Sequence, residues 1–194
     1  MQPAVAQQLV AAYPDDPCVG IPATLGCLRP GAPYGAEFRR TSAYAGDGIF
    51  IAPRRLTCQT WAGAGIPAYC YRFNGYPNGL TAFTGVTHFQ EIGFVFDNLN
   101  GVGYDASPNP FANRSAAYPA LAQLMSNSWA SFIATGDPNK WRAADTKIPL
   151  WPAYNVADPQ NMVWDANVTS HLEADTFRAQ GIATINSLNL AFHR

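Results

Sequence analysis

Apolar positions along this chain recur at helical spacing most clearly in one stretch. Leu121, Leu124, Met125, Ser128, Trp129, Phe132 and Ile133 fall three or four residues apart and share one face. Pro119 suits the first turn of that helix, Gly136 its C-terminal cap, and Pro138 prevents continuation. A second helix is predicted where Pro53 opens a first turn and Arg54 to Ala62 continue it, until Gly63 and Gly65 stop it. The pattern then changes period. Ala68-Tyr69-Cys70-Tyr71-Arg72-Phe73 is dense in strand-favouring aromatics, between Pro67 and the turn Asn74-Gly75. Residues 3–13 predict a short helix ended by the turn chemistry of Tyr13-Pro14-Asp15-Asp16-Pro17. Residues 171–185 predict a last helix, with Glu173 and Asp175 in a first turn whose dipole favours acids. Residues 14–46 are rich in Gly and Pro and read as irregular, as do Asp97 to Tyr118 and the turn-rich region opened by Trp151-Pro152. The class is mixed α/β with few strands, several helices and long irregular loops. One confident strand is not a sheet. Glu91-Ile92-Gly93-Phe94-Val95-Phe96 reads either as another strand or as a buried turn. The pattern therefore predicts part of a larger α/β domain over 1–194, with 1–46 an irregular lead-in and 47–194 its core.

Composition narrows the function classes. The 194 residues are 48% hydrophobic and 13% aromatic but only 13% charged, against a usual charged share of about 25%. Such a chain is not disordered, and much of its surface is suited to being covered. A net charge of -1 leaves no electrostatic case for nucleic acid or acidic membranes. No run approaches the roughly 18 apolar residues of a membrane helix, so no transmembrane segment is expected. The start, MQPAVAQQLVAAYP, lacks the basic flank and apolar block of a secretory signal, so no signal peptide is expected within this chain.

Cys18 and Cys27 bracket the Gly/Pro loop VGIPATLG. A disulfide between them is predicted, and closing so short a loop contributes about 2.5–3 kcal/mol on the chain-entropy account. Cys58 and Cys70, in a predicted helix and a predicted strand, read as small buried hydrophobes. Two sequons, at Asn113 and Asn167, are predicted N-glycosylation sites. With the short cysteine loop they point to an extracellular, secreted glycoprotein.

The chemistry concentrates on Gly85 to Asn98, GVTHFQEIGFVFDN. Its apolar run, Ile92, Phe94, Val95 and Phe96, reads as buried, and His88 stands at the mouth of it. Imidazole is the side chain that ordinarily titrates near neutrality, so a general base is one reading. A core histidine satisfied by Glu91 is the other, and the residues alone leave the two level. A metal site is disfavoured, because His171 and His193 are remote in sequence and Ile92 stands where an inverted zinc motif needs a histidine. Glu91, among apolar neighbours, must be paired and reads as structural support of the histidine loop. No G-x-S-x-G nucleophile elbow and no Gly-rich phosphate loop occurs, and no cofactor is expected. Ser126 and Ser128 lie inside a predicted helix, where hydroxyls bond back to the preceding turn.

These residues resemble a known family. GVTHFQEIGFVFDN is similar to the histidine motif of type-B carboxylesterases and lipases, the cholinesterase-like α/β-hydrolases. The Ala68–Phe73 run resembles the strand preceding that histidine. Ser128-Trp129-Ala130-Ser131-Phe132-Ile133-Ala134-Thr135-Gly136-Asp137-Pro138-Asn139 resembles the family's helix end, and Trp151-Pro152-Ala153-Tyr154 follows where the family has Trp-Pro-x-Tyr. The likeness covers most of residues 45–190, and FDNLNGVGY leans toward the fungal branch. The resemblance implies the C-terminal part of an α/β-hydrolase fold and hydrolysis of carboxylic esters or acylglycerols by a Ser–Glu–His triad. Only the histidine lands here, on His88, as general base and then acid. The serine, the oxyanion loop and the acid are expected in a missing N-terminal part of the same domain. Asp15, Asp16, Glu37 and Asp47 were the local acids to weigh, and none is assigned. The alternative is an esterase-like binding or adhesion module without catalysis, since the family includes such members.

Overall fold

The computed structural model describes residues 3–104, 108–142 and 147–188; His193 lies outside them. In chain order the elements are helix α1 (Pro3–Ala12), a 3₁₀ turn (Ala23–Leu25), α2 (Phe38–Gly46), a π-helical stretch (Asp47–Ile51) and α3 (Ala52–Gly63). Strand β1 (Tyr71–Phe73), helices α4 (Ile92–Val95) and α5 (Ala117–Thr135), strands β2 (Gln160–Trp164) and β3 (His171–Ala174) and helix α6 (Ala179–Ser187) complete them. This is the mixed α/β class that the sequence pattern predicts. The chain divides into two compact units. One is helical, Met1–Ala68 with Asn155–Pro159 and Asp175–Arg194; the other carries the sheet, Tyr69–Tyr154 with Gln160–Ala174.

In the helical unit, α2 runs through the π stretch into α3. Pro53 has no N–H to give to a helical bond, and it follows directly on this widened stretch. Apolar Leu9, Ala43, Ala52, Ile182 and Ile185 pack around Tyr13. Among them sit buried charges. Asp47, fully buried, accepts hydrogen bonds from Tyr13 Oη at 2.8 Å and from Arg178 Nε at 2.6 Å and Nη2 at 2.5 Å. Asp175 accepts from Arg54 Nη1 and Nη2 at 2.6 and 2.9 Å and from Arg55 Nη2 at 2.8 Å. Burial alone raises the Asp175 carboxyl, but the hydrogen bonds and charge of the two arginines outweigh it and hold it below the ordinary carboxylate range. Helix α6 needs glycine at 181, because a Cβ there would stand 2.9 Å from the Tyr13 ring.

Cys18 and Cys27 are joined in a disulfide. The loop they close is also held from inside by Arg39, which is 2% exposed and donates to the carbonyls of Gly20 at 2.6 Å, Pro22 at 3.1 Å, Leu28 at 3.3 Å and Gly26. Residues 14–46 are thus more ordered than their Gly and Pro content predicts, with helix α2 at their end. Cys58 and Cys70 are disulfide-bonded as well, which corrects the reading of them as buried thiols. Burial alone does not tell a thiol from a half-cystine.

In the sheet unit the strand order is β1-β2-β3. Strand β2 is central, parallel to β1 (Tyr71 opposite Met162) and antiparallel to β3 (Met162 opposite Leu172). Its residues 161–164 are all buried, as a strand covered on both faces must be. Phe94, Phe111, Tyr118, Leu121, Met125, Trp151, Met162 and Trp164 form the core. Asn139 fastens two distant turns here. Its Nδ2 donates to the Trp151 carbonyl at 2.9 Å and its Oδ1 accepts from the Trp151 N–H at 2.8 Å.

Several elements differ from expectation. His171–Ala174 is a strand rather than the start of a helix, and the last helix begins only at Ala179. Glu173 reaches Arg72 across the sheet at 2.7 and 2.8 Å. Strand β2 lies in the region read as turns. The α5 face is buried at Leu121, Met125 and Ser128, but its end turns outward: Phe132 is 45% and Ile133 81% exposed. Gly136 does cap the helix in the left-handed region, at φ 73, and Ser128 Oγ bonds back to the Leu124 carbonyl at 2.9 Å.

Candidate functional site

The loop leaving β1 is tied down before it reaches His88. Asn74 N–H donates to the Trp164 carbonyl at 2.7 Å, and Asn74 Nδ2 donates to Asp165 Oδ2 at 2.6 Å. Tyr118 Oη then donates to the Tyr76 carbonyl at 3.0 Å and Arg114 to the Pro77 carbonyl at 2.7 Å. After Gly85 the chain turns at His88, Phe89 and Gln90 and enters the single helical turn α4. So Glu91-Ile92-Gly93-Phe94-Val95-Phe96 is a helical turn, buried at Gly93 and Phe94, and not a strand. Phe94 anchors it, fully buried against Phe73, Phe111 and Tyr118 with ring centroids 4.9, 4.7 and 6.2 Å away. Phe96, read as buried, is 75% exposed: α4 ends at Val95, and one turn of helix cannot aim four apolar side chains inward.

His88 is exposed at the surface of the sheet unit. Its ring meets that of Phe89 edge-on, with centroids 6.1 Å apart. Phe89 has φ +77, a region that a bulky side chain rarely enters. Glu91, three residues after His88, is half-buried, and its Oε1 lies 3.5 Å from Tyr71 Oη. Burial first and the Glu91 charge second push the Tyr71 hydroxyl up to about 12. Tyr71 in turn packs on Trp129 and Trp151. Beyond Phe89 opens a cleft of about 560 Å³, whose wall includes Leu80, Phe89, Ile92, Phe96, Val102 and Tyr104.

The acids weighed in the sequence are engaged within the helical unit. Asp15 pairs with Arg29, Glu37 with Arg40, and Asp16 accepts from the Cys18 N–H. Asp47, the one of the four followed by glycine, is taken by Arg178 and Tyr13. Both sequon asparagines are exposed. Asn113 has φ 59, which asparagine tolerates, while the Asn167 side-chain amide lies 2.8 Å from Tyr118 Oη. Among the described residues, no His, Cys, Asp and Glu gather into a group able to hold a metal ion, and no helix is long and apolar enough to cross a membrane. What the sequence did not foretell is Phe89. Its signal is a backbone angle, invisible in residue types.

The model of the carboxylesterase family matches residues 33–180, a span that holds the whole histidine loop. Carboxylesterase 5A of Canis lupus familiaris is 33% identical over 128 residues, 64% of this chain and 21% of that protein. Carboxylesterase 4A of Bos taurus is 32% identical over 114 residues, 57% of this chain and 18% of that protein. Neuroligin-3 of Mus musculus, whose name is not an esterase's, is 27% identical over 124 residues, 58% of this chain and 15% of that protein. The chain therefore spans about one fifth of the length of the carboxylesterase 5A relatives it matches. Its helices and small mixed sheet are a partial α/β-hydrolase fold.

Proposed function

The chain belongs to the carboxylesterase family, and we propose that it supplies His88 as the general base and acid of a serine carboxylic-ester hydrolase. The observation that carries this reading is the placement of His88: exposed on a loop whose next turns are pinned to a rigid aromatic core. A proton shuttle needs that combination of access and fixed position. In the proposed reaction the imidazole takes the proton of a serine hydroxyl as its oxygen attacks the ester carbonyl carbon. The resulting imidazolium gives the proton to the departing alkoxide, and the alcohol leaves. Water then attacks the acyl-enzyme with the same base, releasing the carboxylic acid and restoring the serine.

The serine and the acid come, in this reading, from the N-terminal part of the same α/β-hydrolase domain, to which residues 1–46 lead in and residues 47–194 contribute core. Glu91 supports the histidine loop through Tyr71 and does not touch substrate. Substrates are carboxylic esters or acylglycerols, with no cofactor and no nucleic acid involved. The protein is extracellular and glycosylated at Asn113 and Asn167, in keeping with its exposed sequons and its disulfides.

The test is steady-state hydrolysis of p-nitrophenyl acetate by the full-length polypeptide that contains this chain. His88→Ala is expected to lower kcat by about 10²–10⁴-fold, the usual contribution of general acid–base catalysis. Undiminished turnover in that variant overturns the assignment. Glu91→Gln is expected to lower stability with little change in kcat. A second reading, a binding module without turnover, draws support from the neuroligin-3 match. It prevails if the full-length wild type hydrolyses no ester.

A further inference from the structure

We infer that Phe89 is a specificity-determining residue, whose ring forms the wall against which the alcohol portion of the ester packs; this rests on the assignment of His88. Two phenylalanines five residues apart frame the argument. Phe94 is fully buried and serves the core. Phe89 is 61% exposed, yet it holds φ +77, where its Cβ crowds the backbone and glycine is the residue at ease. Packing within the sheet unit does not repay that strain, because most of the side chain faces outward from it. Strain of this kind persists where the surroundings impose it, and it gathers at functional sites.

Its consequence is directional. The left-handed turn sets the Phe89 ring edge-on beside the His88 imidazole, and the same ring lines a cleft of mixed character, in which Leu80, Ile92, Phe96 and Val102 form the apolar side and Asn78, Gln90 and Asn98 the polar one. Chemistry then selects which half of the substrate lies there. The proton taken from the serine is delivered by the imidazole to the leaving oxygen, so the alcohol half lies next to His88 during acylation. An apolar wall beginning at Phe89 favours alcohols with a bulky apolar group over short ones.

The experiment compares kcat/KM of the full-length polypeptide for ethyl acetate and benzyl acetate, which share one acyl group. Phe89→Gly removes the ring and keeps the left-handed backbone at ease, so folding is not at stake, and its melting temperature is expected at or above that of wild type. The ratio of kcat/KM for benzyl acetate over ethyl acetate is expected to fall about tenfold in Phe89→Gly, the scale of one lost apolar contact region. Phe89→Tyr is expected to restore the benzyl preference. In a second series, ethyl esters of lengthening acyl chains, Phe89→Gly is expected to leave the rank order unchanged. Equal losses on both acetates, or a change confined to the acyl series, overturn the inference while leaving His88 its role. Full activity in His88→Ala, or no turnover by wild type, instead removes the premise.

Discussion

The two units are stabilised by different physics. In the sheet unit the interior is a continuous set of rings: Trp129 on Trp151 at 5.1 Å, Trp151 on Trp164 at 5.4 Å, Tyr71 on Trp129 at 5.0 Å, Phe73 on Phe94 at 4.9 Å. In the helical unit the apolar residues are smaller, and two carboxylates are paired in the interior, Asp47 with Arg178 and Asp175 with Arg54 and Arg55. Ring packing is spread over many weak contacts and tolerates exchange of one apolar side chain for another of like volume. A buried ion pair does not: its Coulomb gain repays desolvation only while every member is present.

Exchanging the side chains breaks this comparison open. Phe94→Ala and Asp47→Ala are each expected to cost about 3–5 kcal/mol, the first as a cavity and the second as a stranded Arg178 guanidinium, measured by urea unfolding. The near-isosteric pair then separates the units. Phe94→Met is expected to cost less than about 1.5 kcal/mol, whereas Asp47→Asn, equally close in shape, is expected to cost about 3 kcal/mol. If both conservative changes cost the same, the contrast between rings and charges fails.

Acid sharpens it next. The folded Asp175 carboxyl lies below its unfolded value, so its contribution is fully present above the unfolded pKa of about 4. That contribution is lost as pH falls through the folded value. The stability gap between wild type and Asp175→Asn is therefore expected to be constant from pH 7 to about 5 and to shrink below pH 4. A gap independent of pH over that range refutes the ion-pair account. The smallest effect belongs to the sheet unit's own pair, Arg72–Glu173, whose side chains are 44% and 29% exposed. Glu173→Gln is expected to cost less than about 1 kcal/mol and to lose most of that in 1 M salt.

Legibility in the sequence follows the same divide. Helix α5 was readable because Leu121, Met125 and Ser128 repeat at helical spacing and Pro119 and Gly136 mark its ends. The aromatic run before Asn74 announced β1, although only Tyr71–Phe73 pair as strand. Strand β2 was hidden because its five residues lie between turn-formers, and its reason to be extended is its partners on either side. The acids at 173 and 175 mimicked a helix start. Their true partners, Arg72, Arg54 and Arg55, stand 101 to 121 residues away, and no local pattern contains such pairings. In the histidine loop, residue type and spacing single out His88 and Glu91, whereas the left-handed turn at Phe89 and the cleft beside it exist only in three dimensions.

Arg39 gives the Cys18–Cys27 loop two independent fasteners, one covalent and one a single guanidinium shared among four carbonyls. A reductant acts on the first and leaves the second in place. Loss of the cation, by contrast, takes a donor from four carbonyls at once, of which Pro22's keeps the Leu25 N–H, and leaves a sulfur bridge enclosing an emptied bend. Replacement of one charged side chain is the graver lesion there, and Gly20, whose missing Cβ would meet the Arg39 Cβ at 2.7 Å, is the small neighbour that makes room for it.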